Sequence, residues 1–292
     1  MNDFTIRDLE NLSGIKAHTI RIWEQRYSFL RPKRTETNIR YYSNEELKII
    51  LNVALLNKYG FKISQIDRMT EPELKQKVLG LNSADAVQDR VINELIQSMI
   101  DLNMDLFEQS MDGFIFTRGI DKTIVQIIFP FLERVGILWM TGHIVPAQEH
   151  LVSNIIRQKI IVGIDSTVSH LRVNKSILLF LPEGEHHELG LLYMYYLLKV
   201  RGVKTLYLGA NVPFKDLEFV ARLKKPDFIY THLTTRPRYF NLEKFLDRFT
   251  AQLPGAQLVI SGNKVISQVK KDYKSVHFKN SLQGMLEFIS SL

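Results

Sequence analysis

The 292-residue sequence contains no cysteine. That absence excludes disulfides, zinc–thiolate sites, cysteine nucleophiles and thiolate-held clusters together. It also lacks any run of about 18 uncharged apolar residues, the length a helix needs to cross a bilayer. No membrane partner is therefore expected. The opening MNDFTIRDLENLSG mixes acids and bases and lacks the apolar centre of a signal peptide, so a soluble, cytoplasmic protein is expected. There is no repeat of fixed period and no low-complexity segment. No Gly-x-Gly-x-x-Gly follows the first strand pattern, which argues against a dinucleotide site. What is present is globular in composition, with 45% hydrophobic and 24% charged residues. The 38 Lys and Arg exceed the 31 Asp and Glu, a formal charge of +7. So modest an excess matters less than where it lies.

At about 150 residues per domain the length suggests roughly two domains, but the patterning divides the chain in three. Residues 1–78 hold short amphipathic segments and a basic cluster. Residues 84–172 read as continuous helix: apolar residues recur every three or four positions, with no proline before Pro130 and a second at Pro146. Over residues 175–292 apolar runs alternate with helical stretches. The strands are Ser176–Leu181, Lys204–Gly209, Asp227–Thr231, Gln257–Ile260 and a weaker Val276–Phe278. The helices are Leu189–Val200, Phe214–Leu223, Leu242–Leu253 and Leu282–Ile289. Such alternation predicts a parallel α/β sheet, which binds ligands at the carboxyl ends of its strands. Linkers are expected at Leu79–Ala84 and Val173–Ser176. The expected fold is thus multidomain, α followed by α/β.

Phe4–Leu12 reads as a short helix with Thr5 as N-cap and Asp8 as the capping-box acid. Ser13-Gly14 turns the chain, and Ala17–Tyr27 forms a second helix, giving a helix-turn-helix. From Lys16 to Arg40 there are seven Lys and Arg and two acids. Guanidinium forks and phenol hydroxyls suit phosphates. Arg31–Tyr42 sets turn formers between bases, the pattern of a two-stranded wing. A small helical domain with a solvated basic face would share this composition, so the order of residues decides. Thr19-Ile-Arg21, Trp23-Glu24, Arg26-Tyr27, Arg34-Thr35 and Arg40-Tyr-Tyr-Ser43 resemble the winged helix-turn-helix of the MerR family of transcription regulators, from Phe4 to about Met69. The resemblance implies double-stranded operator DNA as partner, with the second helix in the major groove and the wing on the backbone or minor groove. It makes Thr19, Arg21, Arg26, Tyr27, Arg34, Arg40 and Tyr42 the contact candidates, and it implies a homo-oligomer, dimer or tetramer. Trp23 is expected in the core. Relatives commonly carry Gly-Gly at the wing turn; Thr37-Asn38 stands there in this chain, and Asn tolerates positive φ.

Directly after the first strand comes Glu185-x-His187-x-x-Gly190. A loop His can offer its ring to a metal, and an acid two residues earlier can take the ring's other N–H. Gly190 lets a ligand or backbone approach closely. Two solvated histidines in a polar loop are the plain alternative. The arrangement resembles the Asp/Glu-x-His-x-x-Gly signature of cobalamin-binding Rossmann-like domains. There the His becomes the lower axial ligand of cobalt, and the displaced base of the cofactor threads down beside the sheet. The resemblance makes His187 the ligand to cobalt. The family's Ser-x-Leu marker appears as Thr231-His-Leu233, which keeps the hydroxyl. Its Gly-Gly marker appears as Ser261-Gly262, which adds a Cβ beside the tail.

Trp139 is followed, after nine residues, by Glu149-His150. By residue type alone the Trp would be core and the pair solvated. Phe131–Arg157 is nevertheless similar to the helical cap of light-sensing CarH-type regulators, in which this pattern faces the adenosyl side of the corrin. Those regulators often have a His after the Trp, where this chain has Met140. The three resemblances together imply a DNA-binding repressor, not an enzyme, controlled by adenosylcobalamin and by light. One alternative is a regulator of this architecture without cobalamin or light dependence. Another is a corrinoid methyltransferase or mutase module, against which the basic helix-turn-helix and the lack of room for a catalytic barrel both speak.

Overall fold

The computed structural model describes residues 4–234, 240–262, 269 and 271–292. The chain forms two compact units, Met1–Ile155 and Ile156–Leu292.

The first unit opens with α1 (Ile6–Ser13) and α2 (Ala17–Arg26). Thr5 and Asp8 close the expected capping box, and Gly14 ends α1 in the left-handed conformation. β1 (Lys33–Arg34) and β2 (Arg40–Tyr41) pair antiparallel as a wing. Asn38 takes φ 63° at its tip, so the turn forms without the glycines. α3 (Asn44–Lys58), α4 (Ile63–Ile66) and α5 (Glu71–Leu79) follow. Leu47, Ile50 and Leu51 of α3 are buried, as are Phe4, Leu9, Ile20 and Trp23.

The helical region is not continuous. It comprises α6 (Ala84–Ile100), α7 (Met104–Arg118), α8 (Ile120–Thr123), a π turn (Ile124–Ile128), α9 (Phe129–Met140) and α10 (Pro146–Ser166). Each break has a local cause. Asn103 caps α7 by accepting from the Leu106 N–H, and Gly119 and Gly142 take φ 81° and 73°. Pro130 accounts for the π turn: it has no N–H, and its ring crowds the carbonyl four residues back. The Phe129 N–H accordingly bonds Ile124 O, one residue wider than an α-helix allows. Ile120–Met140 is long and apolar enough to cross a membrane by composition. Its Ile124, Ile127, Ile128, Phe131, Val135 and Leu138 are instead buried in the bundle, with Phe131 edge-on to Phe107 at 5.4 Å.

The second unit alternates β3 (Val173–Pro182), α11 (Leu189–Val200), β4 (Val203–Val212), α12 (Phe214–Lys224), β5 (Phe228–His232), α13 (Leu242–Gln252), β6 (Gln257–Ser261), β7 (Val276–Lys279) and α14 (Leu282–Ser290). Among the described residues its five strands are parallel, in the order β4-β3-β5-β6-β7. Val173 already pairs with Val203, so the expected linker at Val173–Ser176 is strand. Ile177–Leu181, Ile229–Thr231 and Leu258–Ile260 are buried, the continuous apolar runs of a sheet covered on both faces. The strand order reverses between β3 and β5. The carboxyl ends beside that switch point are where a sheet of this order takes its ligand.

Candidate functional site

α2 turns Arg21, Ile22 and Arg26 to solvent while Ile20 and Trp23 pack inward. Trp23 meets Phe29 edge-on and Phe29 stacks on Tyr27, both at 5.9 Å; this triplet fixes the chain's exit from α2. Thr19 and Tyr27 are half-buried at its flanks. Arg34 is exposed on the wing, and its Nη1 donates to Asn38 Oδ1 at 2.7 Å. Arg40 is half-buried, with Nε on Glu24 Oε2 at 2.9 Å.

Tyr42, a contact candidate in the sequence, turns inward instead. It is fully buried, its hydroxyl donates to Glu24 Oε1, and its backbone exchanges two hydrogen bonds with Phe4 at 2.8 and 2.9 Å. Burial, then the Glu24 carboxylate, pushes its hydroxyl pKa well up. Glu24 thus ties the wing to α2 through both Arg40 and Tyr42.

In the bundle, α9 ends in a Schellman turn. The His143 N–H reaches Leu138 O at 2.9 Å and the Gly142 N–H reaches Trp139 O at 3.1 Å. The turn leaves Trp139 50% and Met140 77% exposed, so the indole is not the core residue its type suggests. Buried Gln148 anchors the start of α10. Its Nε2 donates to the Met99 and Ile100 carbonyls at 3.3 and 3.4 Å, and its Oε1 accepts from the Val145 N–H at 3.0 Å. Glu149 and His150 follow in the first turn of α10, paired at 3.1 Å, with the His exposed. His143 Nε2 meets Asp8 Oδ2 at 2.8 Å, and its ring lies 4.5 Å from that of Phe4. No motif announces this link, which joins the helix-turn-helix to the bundle.

At the carboxyl end of β3, Gly184 takes φ 83° and donates its N–H to Asn211 Oδ1 at 2.9 Å. Glu185 is fully buried beside it. Its Oε1 accepts from the His186 and His187 N–H groups, both at 2.9 Å, and lies 2.6 Å from His187 Nδ1. The carboxylate therefore sets both the loop and the ring of a half-exposed His187, so that coordination would go through Nε2. Glu188 closes the loop, accepting from the Tyr207 hydroxyl at 2.6 Å and Arg157 Nε at 2.7 Å.

At the carboxyl end of β5, Thr231 is buried and its Oγ1 has no partner among the described residues. His232 Nδ1 lies 2.6 Å from Ser261 Oγ, which is 2.6 Å from the Tyr230 hydroxyl. Burial lowers the His232 pKa, favouring a neutral ring. The Tyr230 hydroxyl also donates to Met285 Sδ at 3.2 Å, so His232, Ser261, Tyr230 and Met285 form one chain of hydrogen bonds. The ring occupies the space over Gly190, where a Cβ would come within 2.4 Å of His232 Cδ2. Gly262, at φ 132°, is pressed against Leu233, whose carbonyl would lie 2.2 Å from a Cβ. Gly190, His232 and Ser261 thus meet on one face of the sheet, below the loop that carries Glu185 and His187, whereas Thr231, between Tyr230 and His232 in the strand, turns to the other face and Gly262 packs on the Leu233 backbone. Sequence reasoning missed Tyr230 and His232. The signal was the strand register, which sets His232 opposite Ser261.

A corrinoid fits at one point: a His whose Nδ1 is held by a buried carboxylate is a donor set for cobalt. The His232 ring is the point of misfit.

A winged helix-turn-helix, a helical bundle and a parallel sheet with a carboxylate-held His at its carboxyl end define a DNA-binding regulator with a sensory module. Residues 4–72 match the MerR HTH family regulatory proteins, and residues 91–162 match a B12 binding domain. The chain is 30% identical over 228 residues to the HTH-type transcriptional repressor CarA of Myxococcus xanthus, covering 77% of this chain and 74% of CarA. It is 27% identical over 257 residues to the repressor CarH of the same organism, covering 86% of this chain and 85% of CarH. The chain belongs to this family of MerR-type regulators with a B12-binding domain, and it is a cobalamin-dependent, DNA-binding transcriptional regulator. The monomethylamine corrinoid protein of Methanosarcina barkeri shares the fold, with a TM-score of 0.54 at 13% identity over 70% of this chain and all of that one.

Proposed function

We propose that the chain is a repressor whose hold on operator DNA depends on adenosylcobalamin and on light. The observation that carries the reading is the Glu185–His187 pair at the switch point of the sheet, on one chain with the helix-turn-helix. Residues 1–78 act as the DNA-binding domain, 84–172 as the cap and 175–292 as the corrinoid-binding domain. Arg21 and Arg26, flanked by Thr19 and Tyr27, contact DNA from α2, and Arg34 contacts it from the wing. Arg40 holds the wing in place through Glu24. His187, oriented by Glu185, would hold the cofactor's cobalt through Nε2. Gly190, Ser261 and Gly262 line the seat of the tail. Trp139, Glu149 and His150 meet the adenosyl group, and the half-exposed indole supplies the apolar surface for it. The cofactor supplies a light-labile cobalt–carbon bond, and no substrate is turned over. Loaded chains assemble into a homo-oligomer that binds DNA and loosens on illumination. Met140, at the position where CarH-type regulators often have a His, favours a second reading in which cobalamin is bound but light is not sensed.

The test is absorption spectroscopy of the protein mixed with adenosylcobalamin in the dark and then under green light, with mass by light scattering on the same samples. A spectral shift on mixing and a larger dark oligomer are expected. No shift on mixing removes the cobalamin reading. Bound cofactor with the same mass in both conditions leaves the second.

A further inference from the structure

Inside the first unit, a cavity of about 440 Å³ opens where the turn after α1 meets α3, α6 and α9. Leu12, Leu51 and Leu55 line it and are buried, which gives it an apolar floor. Its wall carries a cation that no carboxylate pairs. Arg134 of α9 donates from Nη1 to Asn93 Oδ1 at 2.6 Å and makes no ion pair among the described residues. Asp89 is the only acid that lines the cavity, and its Oδ2 already accepts from Lys58 Nζ at 2.6 Å and from the Tyr59 hydroxyl at 2.8 Å. Lys58 and Asp89 cancel, so the charge of Arg134 is left over. A guanidinium has five N–H donors, and only Nη1 is engaged. No nitrogen of Arg134 is both sealed from solvent and unpaired, so the remaining donors reach open space, and the space that the residue lines is this cavity. Charges withdrawn from water are ordinarily paired. Burial lowers the Arg134 pKa, as expected of a cation short of compensation.

We propose that this cavity binds a small organic anion, its oxoanion head on Arg134 and its apolar body on Leu51 and Leu55, and that the chain thereby takes a second input. The guanidinium fork matches a carboxylate or a phosphate with two parallel hydrogen bonds. The volume is that of a site for a small molecule. Its place in the fold gives the input a route. Ser13 and Gly14, the turn between the two helices of the helix-turn-helix, line the same cavity, and Gly14 holds that turn at φ 74°. A molecule seated on Arg134 therefore touches the DNA-binding domain and the bundle at once. The inference does not depend on corrinoid binding.

The experiment titrates the full-length protein by calorimetry with hexanoate, with hexyl phosphate and with hexanol, the neutral molecule of the same chain length. Saturable binding of at least one anion is expected, and the tighter of the two identifies the head as carboxylate or phosphate. Arg134→Met keeps the apolar stem and removes the fork. Losing charged hydrogen bonds corresponds to about a 10- to 100-fold drop in affinity, so the preference for the anion over hexanol should vanish in this variant. Ala54→Leu leaves Arg134 in place and fills part of the cavity that Ala54 lines, and it should weaken both anions. Circular dichroism confirms that each variant folds; if Arg134→Met does not, Ala54→Leu carries the test. In gel-shift titrations the bound anion should change operator affinity in wild type and not in the variants. No saturable anion binding, hexanol binding as tightly as the anions, or undiminished binding in the folded variants would overturn the site. Anion binding that leaves operator affinity unchanged would overturn the second input.

Discussion

Replacing His143 with Ala should loosen the join between the helix-turn-helix and the bundle. The side chain is nearly buried, with Nε2 2.8 Å from Asp8 Oδ2 and its ring tilted against Phe4 at 4.5 Å. A hydrogen bond to a charged acceptor contributes about 1.5–3 kcal/mol and the ring contact about 0.5–1.5 kcal/mol. Asp8 is not stranded by the change, because the Thr5 N–H and hydroxyl still donate to it at 2.6 Å each. The penalty of about 3–5 kcal/mol for orphaning a buried charge is therefore not reached, and about 2–4 kcal/mol is expected. Both tryptophans, Trp23 and Trp139, lie in the first unit, so tryptophan emission during urea unfolding reports that unit directly. The midpoint should fall with the slope unchanged. His143→Gln, which keeps a donor, should lose less than His143→Ala. A loss under about 0.5 kcal/mol for His143→Ala, the range of ordinary surface substitutions, would refute the reasoning.

Tyr42→Phe should cost about 1–3 kcal/mol of stability, because Glu24 loses a buried partner; the salt dependence of operator binding in gel-shift titrations should stay unchanged. Arg26→Ala should do the reverse, lowering the salt slope by about one with little change in unfolding. His187→Ala should abolish the spectral change on mixing with adenosylcobalamin, whereas His186→Ala should leave most of it. Gly190→Ala forces a Cβ to within 2.4 Å of His232 Cδ2 and should cost about 1–3 kcal/mol by overpacking. Adding His232→Ala should restore the loss in a thermal melt followed by circular dichroism.

Features set by near neighbours were legible in the sequence. The Thr5–Asp8 capping box, the Asn38 wing turn and the five apolar strands each follow from residues a few positions apart. The Glu185–His187 pair was equally readable, because a two-residue spacing within one loop fixes its geometry. Features set by distant partners were not. Tyr42 sits in a run of bases that reads as a DNA surface, and only Phe4 and Glu24 decide that it turns inward. The extension of β4 past Gly209 to Val212 depends on irregular register against β3, which no local pattern records. The helical region was read as unbroken because apolar spacing persists through Gly119 and Gly142. Backbone conformation, not hydrophobicity, ends those helices. His232 was passed over as the unspecified residue of a three-residue marker, although its partner Ser261 had already been singled out.

One turn joins the exposed Trp139 to the DNA-binding helices of the first unit. Trp139 and His143 stand at opposite ends of the Schellman turn that closes α9, with Gly142 fixing the path between them. The indole faces solvent at one end. At the other, the imidazole holds the acid that caps α1, the first helix of the DNA-binding domain. Backbone hydrogen bonds at 2.9 and 3.1 Å span the interval, so the turn is a short, closed ring of atoms and not a flexible tether. A tenfold change in DNA affinity requires about 1.4 kcal/mol. The His143 contacts hold about 2–4 kcal/mol on the bond and ring terms. A ligand that covers Trp139 and shifts this turn therefore acts on a contact with more free energy than such a change in affinity needs. Because α1 packs directly beside α2, the same contact bears on the helix that carries Arg21 and Arg26.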